Sequence, residues 1–135
     1  MFQQNEQPHS PALQADEDLS ARSATHPRVT IDDLKANVAE LWYVNAGDAV
    51  EFTANGPNSV PHEHPLRLMT LAFVVTRSGF VVVGKSAPAS PENFNEVKGR
   101  QFAYEDAIRQ LWPLMGYALK ERMIDGVERH TIEVG

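Results

Sequence analysis

The residues best suited to chemistry in this sequence lie where an apolar, hairpin-like segment passes into a helical one. Lys85 and Ser86 end the apolar segment, and Ser90, Pro91 and Glu92 follow after a short loop. A serine followed by proline and glutamate is typical of a helix N-terminus, where free backbone N–H groups and the helix dipole favour an anion. The chemistry predicted here is the binding of a phosphate or another anionic group.

Polar and aromatic residues extend this predicted site along the helix. Arg100 lies seven residues after Asn93, about two turns further on the same face, and Tyr104 continues roughly along that face. A nucleotide or phosphorylated metabolite would place its phosphate near Lys85 and stack its base on Tyr104 or Trp112. The predicted ligand-binding residues are Lys85, Ser86, Ser90, Asn93, Arg100 and Tyr104.

A purely structural interpretation of the same residues stays open beside the ligand site. In that interpretation Ser90 only caps the helix and Lys85 is solvated. Arg100 then pairs with Glu96, four residues earlier on the helix.

His62 and His64 form the second candidate group, in a segment flanked by Pro61 and Pro65. On an extended chain the two imidazoles point the same way, because side chains alternate with a period of two. They could hold Zn, Cu or Ni only with a third ligand. The candidates for that ligand are His130, Glu51 and Asp48. The flanking prolines favour an exposed loop instead, so we predict no metal site and no cofactor, and keep a metal-dependent enzyme as an alternative.

Motifs that would identify an enzyme are absent from the sequence. It contains no nucleophile elbow, no phosphate-binding P-loop and no dinucleotide fingerprint. It has no cysteine, which excludes thiolate catalysis, disulfides and iron–sulfur ligation. Asp32 and Asp33 are adjacent, so on a helix they diverge by about 100° and do not form a catalytic pair. We predict no catalytic residues and favour a binding protein over an enzyme.

The length and net charge of the chain limit the classes of protein that remain. The chain has 135 residues and a formal net charge of −6, which disfavours direct DNA binding and anionic membrane surfaces. The longest apolar run, Leu71 to Val75, is far too short to span a bilayer. The first residues have neither the basic start nor the apolar stretch of a signal peptide. We therefore expect a cytoplasmic protein with no membrane partner.

The chain divides into an arm and a domain in our interpretation. Residues 1–28 contain few large apolar residues and three consecutive acidic ones, which predicts a disordered acidic arm. Residues 29–135 are predicted to form a single α+β domain. Its first element is a helix over Ile31–Leu41, capped by Thr30. Strands are predicted over residues 42–44 and, more weakly, over residues 50–53.

The strongest local pattern is a β-hairpin between Leu68 and Ser86. β-branched and aromatic residues flank Arg77-Ser78-Gly79 on both sides. A two-residue loop would place Val75 opposite Val82, a three-residue loop would shift the pairs by one, and both remain open. The predicted faces are both apolar, with Leu71, Phe73 and Val75 on one and Val74, Val81 and Val83 on the other. Each face needs a cover, which indicates homo-oligomerisation.

The chain after Ser90 predicts a long helix with an interruption. Apolar residues recur at helical spacing, but Pro113 predicts a kink or break, followed by a second helical piece to about Met123. Asp125-Gly126 predicts a turn, and the alternation over residues 127–134 predicts a last strand. The fold class is therefore α+β: a small antiparallel sheet centred on one hairpin, packed by an N-terminal helix and a Pro-broken C-terminal helix.

Two segments carry a resemblance to a known family. Ala89-Ser90-Pro91-Glu92-Asn93-Phe94-Asn95 and Leu111-Trp112-Pro113-Leu114-Met115-Gly116-Tyr117, together with the opening Val29–Asp33, resemble a small protein family of tailed phages and prophages. This family is labelled by gene-product 49 and gene 66 of its founding phages. The resemblance covers about residues 29–124. Relatives often carry a cysteine after the Ser-Ala pair, where this chain has Pro88.

The resemblance implies an accessory phage protein that acts in the infected cell, without catalytic residues to transfer. Our first hypothesis is a non-enzymatic phage accessory protein in the host cytoplasm that binds a host protein or a nucleotide-like signal, with a role against host defence as one form of this activity. The alternatives are an oligomeric structural or assembly protein and a metal-dependent enzyme using His62 and His64. The expected partners are a second copy, a host protein or a small anionic ligand.

Overall fold

The computed structural model describes residues 10–22, 27–54 and 59–134, with side chains as far as residue 126. Its helices are α1 (Pro11–Arg22), α2 (Ile31–Ala36), α3 (Ala46–Thr53) and α4 (Glu96–Val134), and its strands are β1 (Val38–Asn45), β2 (Thr70–Thr76) and β3 (Val81–Ser86). Two short 3₁₀ helices span Pro65–Leu68 and Pro91–Asn93. The strands form one antiparallel sheet in the order β1-β2-β3. The predicted α+β class is confirmed.

The sequence left a two-residue and a three-residue hairpin loop open. The hairpin of β2 and β3 has the three-residue loop. Thr76 donates its backbone N–H to the Phe80 carbonyl over 2.8 Å, and Gly79 donates to the Thr76 carbonyl over 2.9 Å. Gly79 has a φ of +86°, a conformation that glycine adopts without steric cost. Val75 therefore lies opposite Val81, and Val74 lies opposite Val82.

This register corrects the predicted faces of the hairpin. Val81 and Val83 share a face with Val75 and Phe73, because directly opposed residues project to the same side of a sheet. Val74 lies on the other face with Val82, and not with Val81 and Val83 as predicted. A shift of one residue moves every side chain of a strand to the opposite face, which is why the loop length decided the result.

The core lies between one face of the sheet and α4. The sheet contributes Leu41, Ala72, Val74 and Val82, and the helix contributes Ala103, Ala107, Ile108 and Leu111. Ile31 and Leu34 of α2 and Leu13 of α1 complete the same cluster. All of these side chains are at most 5% exposed, so the helices cover this face of the sheet.

The opposite face of the sheet has no cover within the described parts of the chain. It carries Trp42, Val81 and Val83, which are 36%, 50% and 41% exposed, beside partly buried residues of β1 and β2. We call this the open sheet face, and its residues are Glu40, Trp42, Val44, Leu71, Phe73, Val75, Val81, Val83 and Lys85.

Two predictions around α2 and α3 are wrong. The helix predicted over Ile31–Leu41 ends at Ala36, because Val38 and Leu41 belong to β1 and pair with Thr76 and Val74. Pairing with the hairpin stabilises these residues more than about one and a half further turns on a short helix would. Residues 50–53, predicted as a strand, are the last turn of α3. That helix is capped by the Asn45 side chain, which accepts a 3.1 Å hydrogen bond from the Asp48 N–H.

The predicted disorder of the acidic arm is wrong for residues 11–22, which form α1. Leu13 is 1% exposed in the core, and Arg109 of α4 contacts Asp16 over 2.8 Å. Glu17 accepts a hydrogen bond from the Ile31 N–H and pairs with Arg28. The acidic residues that suggested a solvated arm therefore have specific partners. Residues 1–9 and 23–26 of the predicted arm lie outside the described residues.

The C-terminal helix contains Pro113, as predicted, and continues beyond it. Pro113 removes the hydrogen bond that its position would otherwise donate to the Arg109 carbonyl. The predicted turn at Asp125-Gly126 and strand over residues 127–134 are wrong, because α4 extends to Val134. The alternating pattern of residues 127–134 did not distinguish a strand from the end of a helix, because such a pattern does not show whether a partner strand exists. No helix in the described ranges is both long and apolar enough to cross a membrane.

Candidate functional site

The predicted anion site at Ser90 lacks the helix start on which the prediction depended. Ser90 precedes only the three-residue 3₁₀ helix, and its hydroxyl is hydrogen-bonded to the Glu92 carboxylate without capping any backbone N–H. The long helix begins at Glu96, where Asn95 accepts a 3.1 Å hydrogen bond from the Lys98 N–H. The expectation that Ser90 caps the long helix is therefore wrong.

The other predicted ligand residues lie on different surfaces. Lys85 is exposed on the open sheet face, next to Ser86 at the end of β3, and Asn93 is exposed in the 3₁₀ helix. Arg100 lies on α4, pairs with Glu96 over 2.7 Å and stands 5.9 Å from the centre of the Tyr43 ring. Tyr104 is only 2% exposed within the core, so its ring offers no stacking surface to a ligand.

Arg100 lines a small cavity of about 250 Å³ with Tyr43, Phe94 and Glu96, and this cavity includes none of the other five predicted residues. Trp112, the alternative stacking residue, is partly buried and donates from Nε1 to the Val29 carbonyl over 3.1 Å. The structural alternative for Arg100, a pair with Glu96, matches the observed contact. Joint binding of a ligand by the six residues stays a prediction.

The histidine pair lies in the exposed segment before the first 3₁₀ helix. His64 accepts a 3.1 Å hydrogen bond from the Leu66 N–H through Nδ1 and so acts as the cap of that helix. Asp48 and Glu51, two of the proposed third ligands, instead contact Arg67 over 2.5 and 2.9 Å. Among the described residues no three metal-binding side chains come together, and the His130 side chain lies outside them.

Arg67 fixes the histidine segment onto α3. Besides the two carboxylates, its guanidinium donates to the Val60 carbonyl over 2.8 Å, and its side chain is 18% exposed. Hydrogen bonding to Glu51, supported by the charges of Glu51 and Asp48, raises the pKa of Arg67 against the opposing effect of burial. The guanidinium is thus engaged on several sides, and the group is a structural connection.

A cluster of arginines lines a cavity of about 470 Å³ beside α2 and the C-terminal half of α4. We call it the arginine cleft. Three cationic residues, one carboxylate, one amide and five aliphatic or thioether residues form its lining: Arg28, Arg77, Arg122, Asp33, Asn37, Val29, Ala36, Met115, Ala118 and Leu119. The volume lies within the range of small-molecule sites, about 300–1,000 Å³.

The three guanidinium groups differ in how far they are engaged. Arg28 pairs with Glu17 and lies 3.3 Å from the Ser20 hydroxyl. Toward the described residues, the Arg77 guanidinium donates only from Nε, to the Ala36 carbonyl over 2.5 Å. For Arg122 no ion pair with another described residue occurs. Arg77 and Arg122 therefore retain N–H donors for a bound group.

An apolar groove of about 390 Å³ adjoins the arginine cleft and shares Arg28, Val29 and Leu119 with it. Its other lining residues are mostly apolar: Ser20, Pro27, Trp112, Gly116, Lys120, Met123 and Ile124. The two cavities together present cationic donors at one end and an aromatic and aliphatic wall at the other.

Sequence reasoning missed the arginine cleft because its residues share no local pattern. Arg28 is the last residue of the predicted acidic arm, Arg77 lies in the hairpin loop and Arg122 lies in the C-terminal half of α4. They meet only because the hairpin loop and the helix converge on α2, so no spacing in the sequence indicates the site. The sequence feature that could have pointed to the cleft is an arginine in a short hairpin loop, and that feature by itself does not indicate a binding site.

The fold and the cleft define a small α+β protein with a cationic ligand-sized cavity. A family model, that of the phage protein (N4 Gp49/phage Sf6 gene 66) family, matches residues 29–123. The chain belongs to this phage protein family, which confirms the resemblance found in the sequence. No curated protein and no solved structure matches the chain.

Proposed function

We propose that this phage protein is a non-enzymatic accessory protein that acts in the cytoplasm of the infected host cell by binding a nucleotide-like, phosphorylated small molecule. The single observation that carries the proposal is the arginine cleft, where three arginines line one cavity of ligand size. Arginine binds phosphate through planar, often bidentate hydrogen bonds, so a phosphate group is the anion that suits this cleft best.

The charge balance of the cleft supports an anionic ligand. The whole chain carries a net charge of −6, whereas three arginines and one carboxylate line the cleft. That carboxylate, Asp33, accepts a 2.9 Å hydrogen bond from the Thr30 N–H in the capping box of α2. Its charge is thus partly directed to the helix start, and the cleft is locally cationic.

The adjoining groove supports a ligand with a flat, less polar part. Val29 and Leu119 lie in the walls of both cavities, so a ligand with its phosphate near Arg77 and Arg122 reaches the groove without leaving the surface. There the Trp112 side chain and the guanidinium plane of Arg28 offer faces on which a base can stack. A nucleotide has this combination of charge and planar ring.

Binding alone would be the activity in this proposal. Sequestering a host nucleotide signal needs affinity and abundance, and no chemical step, so a role against host defence is one form that the function takes. The family assignment to phage proteins supports action during infection.

Isothermal titration calorimetry of the full chain with ribonucleoside monophosphates and triphosphates, adenosine and inorganic phosphate tests the proposal. We expect at least one nucleotide to bind, with adenosine at least tenfold weaker and with affinity that falls as salt rises. Arg122→Gln should weaken binding about tenfold or more, since it removes a charged donor that no described ion pair engages.

Arg100→Gln is the matched control, because Arg100 is an exposed arginine of the same helix outside the cleft. It should bind nucleotide as the unmodified chain does. Loss of binding in Arg100→Gln or Lys85→Gln, with full binding in Arg122→Gln, would place the ligand at the residues predicted from the sequence and overturn the cleft. Mass spectrometry of protein purified from infected cells that finds a host protein and no nucleotide would favour host-protein binding instead.

Self-association is the second part of the proposal, and the open sheet face supports it. Seven apolar side chains lie together on that face, and three of them are at least 36% exposed. An exposed apolar patch of this kind is typical of an interaction surface. A second copy of the chain is the proposed occupant.

A further inference from the structure

The open sheet face is a regular grid of three rows and three columns. The register places Glu40, Val75 and Val81 in one row, Trp42, Phe73 and Val83 in the next, and Val44, Leu71 and Lys85 in the third. Phe73 lies at the centre. The side chain of Trp42 contacts Glu40 over 3.3 Å from Nε1 to Oε1, which shows that these two residues share the face.

The two charged residues of the grid stand at diagonally opposite corners and have opposite signs. Glu40 lies at the corner on β1, and Lys85 lies at the far corner on β3. No described carboxylate lies within ion-pair distance of the Lys85 ammonium group. The seven positions between the corners are apolar. The face is thus an apolar surface with one acidic and one basic end.

We infer that two copies of the chain stack through their open sheet faces about a two-fold axis that passes over Phe73 at right angles to the line from Glu40 to Lys85. This inference rests on the self-association proposed above and specifies its geometry. The rotation brings Glu40 of each copy over Lys85 of the other and forms two equivalent ion pairs. A two-fold axis repeats each contact between the copies. One pair of oppositely charged corners on each face is therefore enough to form both ion pairs of a closed dimer.

The same rotation places apolar residues against each other. Phe73 faces Phe73 of the second copy at the axis, Trp42 comes over Leu71, and Val83 comes over Val75. Adjacent strands are about 4.8 Å apart and alternate residues of a strand about 6.8 Å apart, so the strands of the two sheets cross at roughly 70°. This angle is close to the orthogonal class of sheet packing.

The size of the face predicts a weak dimer. Nine positions at these spacings occupy a flat area of roughly 290 Å², compared with about 800 Å² of accessible surface per partner in a typical stable interface. Association should therefore depend on concentration in the micromolar range and on the ion pairs at the corners, whose contribution falls with salt.

Charge reversal at the two corners tests this arrangement in the full chain. Analytical ultracentrifugation from about 5 to 500 µM is expected to show a reversible dimer for the unmodified protein. Glu40→Lys and Lys85→Glu should each dissociate at least tenfold more readily, because each homodimer then contains two like-charged pairs. An equimolar mixture of the two variants should dimerise again, because every pair in the heterodimer is of opposite charge.

Lys98→Glu is the control, since Lys98 is exposed on α4 and lies off the sheet. It should dimerise as the unmodified chain does. Restoration in the mixture also shows that both variants are folded. The stacked arrangement is overturned if both charge reversals leave dimer dissociation unchanged, or if the mixture of the two variants stays monomeric. Either result would still be consistent with self-association through another arrangement. An unmodified chain that remains monomeric at 500 µM removes self-association itself, without bearing on the arginine cleft.

Discussion

Gly84 of β3 lies directly against Ala103 of α4, so closely that a Cβ atom on Gly84 would be 2.0 Å from the Ala103 carbonyl oxygen. The same atom would be 2.6 Å from the Ala107 backbone nitrogen. Both neighbours belong to the rigid backbone of a helix and cannot move aside as a side chain would. The absence of a side chain at Gly84 therefore lets α4 pack onto the sheet and cover its inner face.

Gly84→Ala is expected to destabilise the protein by about 3 kcal/mol or more, because the helix must move away from the sheet to accept the methyl group. Urea unfolding monitored by circular dichroism measures the change. Gly126→Ala is the control, since a Cβ there meets nothing within 4 Å and alanine favours a helix. It should be neutral or slightly stabilising. Equal stability of both variants would contradict the close contact.

Leu13→Ala tests whether α1 belongs to the folded core. Leu13 is 1% exposed among core residues, so its truncation should cost about 3 kcal/mol. Leu19→Ala, on the same helix at a side chain that is 66% exposed, should change the free energy of unfolding by less than about 0.5 kcal/mol. If residues 11–22 were a disordered arm, neither variant would alter the unfolding midpoint.

The hairpin was predictable because its information is local. β-Branched and aromatic residues on both sides of Gly79 specify both strands, and the choice between two loop lengths was the part that local sequence did not decide. Val38 and Leu41 were misassigned because their spacing suits a helix, whereas pairing with a distant strand places them in β1. The residues of α1 were misjudged for the same reason, since their partners Arg28 and Arg109 come from elsewhere in the chain.

The candidate site depended still more on long-range contacts. The predicted site grouped residues by closeness in sequence, and the structure separates Lys85 from Arg100 onto opposite sides of the sheet. The arginine cleft joins Arg28, Arg77 and Arg122, which are about 45 to 94 residues apart in the chain. They come together because the hairpin loop contacts the end of α2 and α2 packs against α4.

Ser90 is expected to control the titration of Glu92. The hydrogen bond from the Ser90 hydroxyl lowers the pKa of Glu92, with a further contribution from the Glu92 backbone N–H. Because the folded-state pKa lies below its ordinary value, this contact adds stability above the ordinary pKa and loses it as the pH falls through the lowered value. Ser90→Ala should raise the midpoint of the Glu92 carboxyl signal in an NMR titration.

Ser86→Ala serves as the control for that titration, because no hydrogen bond joins the Ser86 side chain to Glu92 among the described contacts. The Glu92 midpoint should be the same in this variant as in the unmodified chain. An unchanged midpoint in Ser90→Ala would show that the hydroxyl does not hold the carboxylate. In that case Ser90 would be free to bind a ligand anion, as the sequence suggested.

Trp112 is expected to report nucleotide binding, because its indole lies in the wall of the apolar groove and donates to the Val29 carbonyl over 3.1 Å. Val29 also lines the arginine cleft, so a nucleotide that spans both cavities changes the surroundings of the indole. In Trp42→Phe, which leaves Trp112 as the single tryptophan, titration with a nucleotide should shift the emission. In Trp112→Phe, where only Trp42 of the open sheet face remains, emission should stay constant. The opposite pattern would move the ligand from the cleft to the sheet.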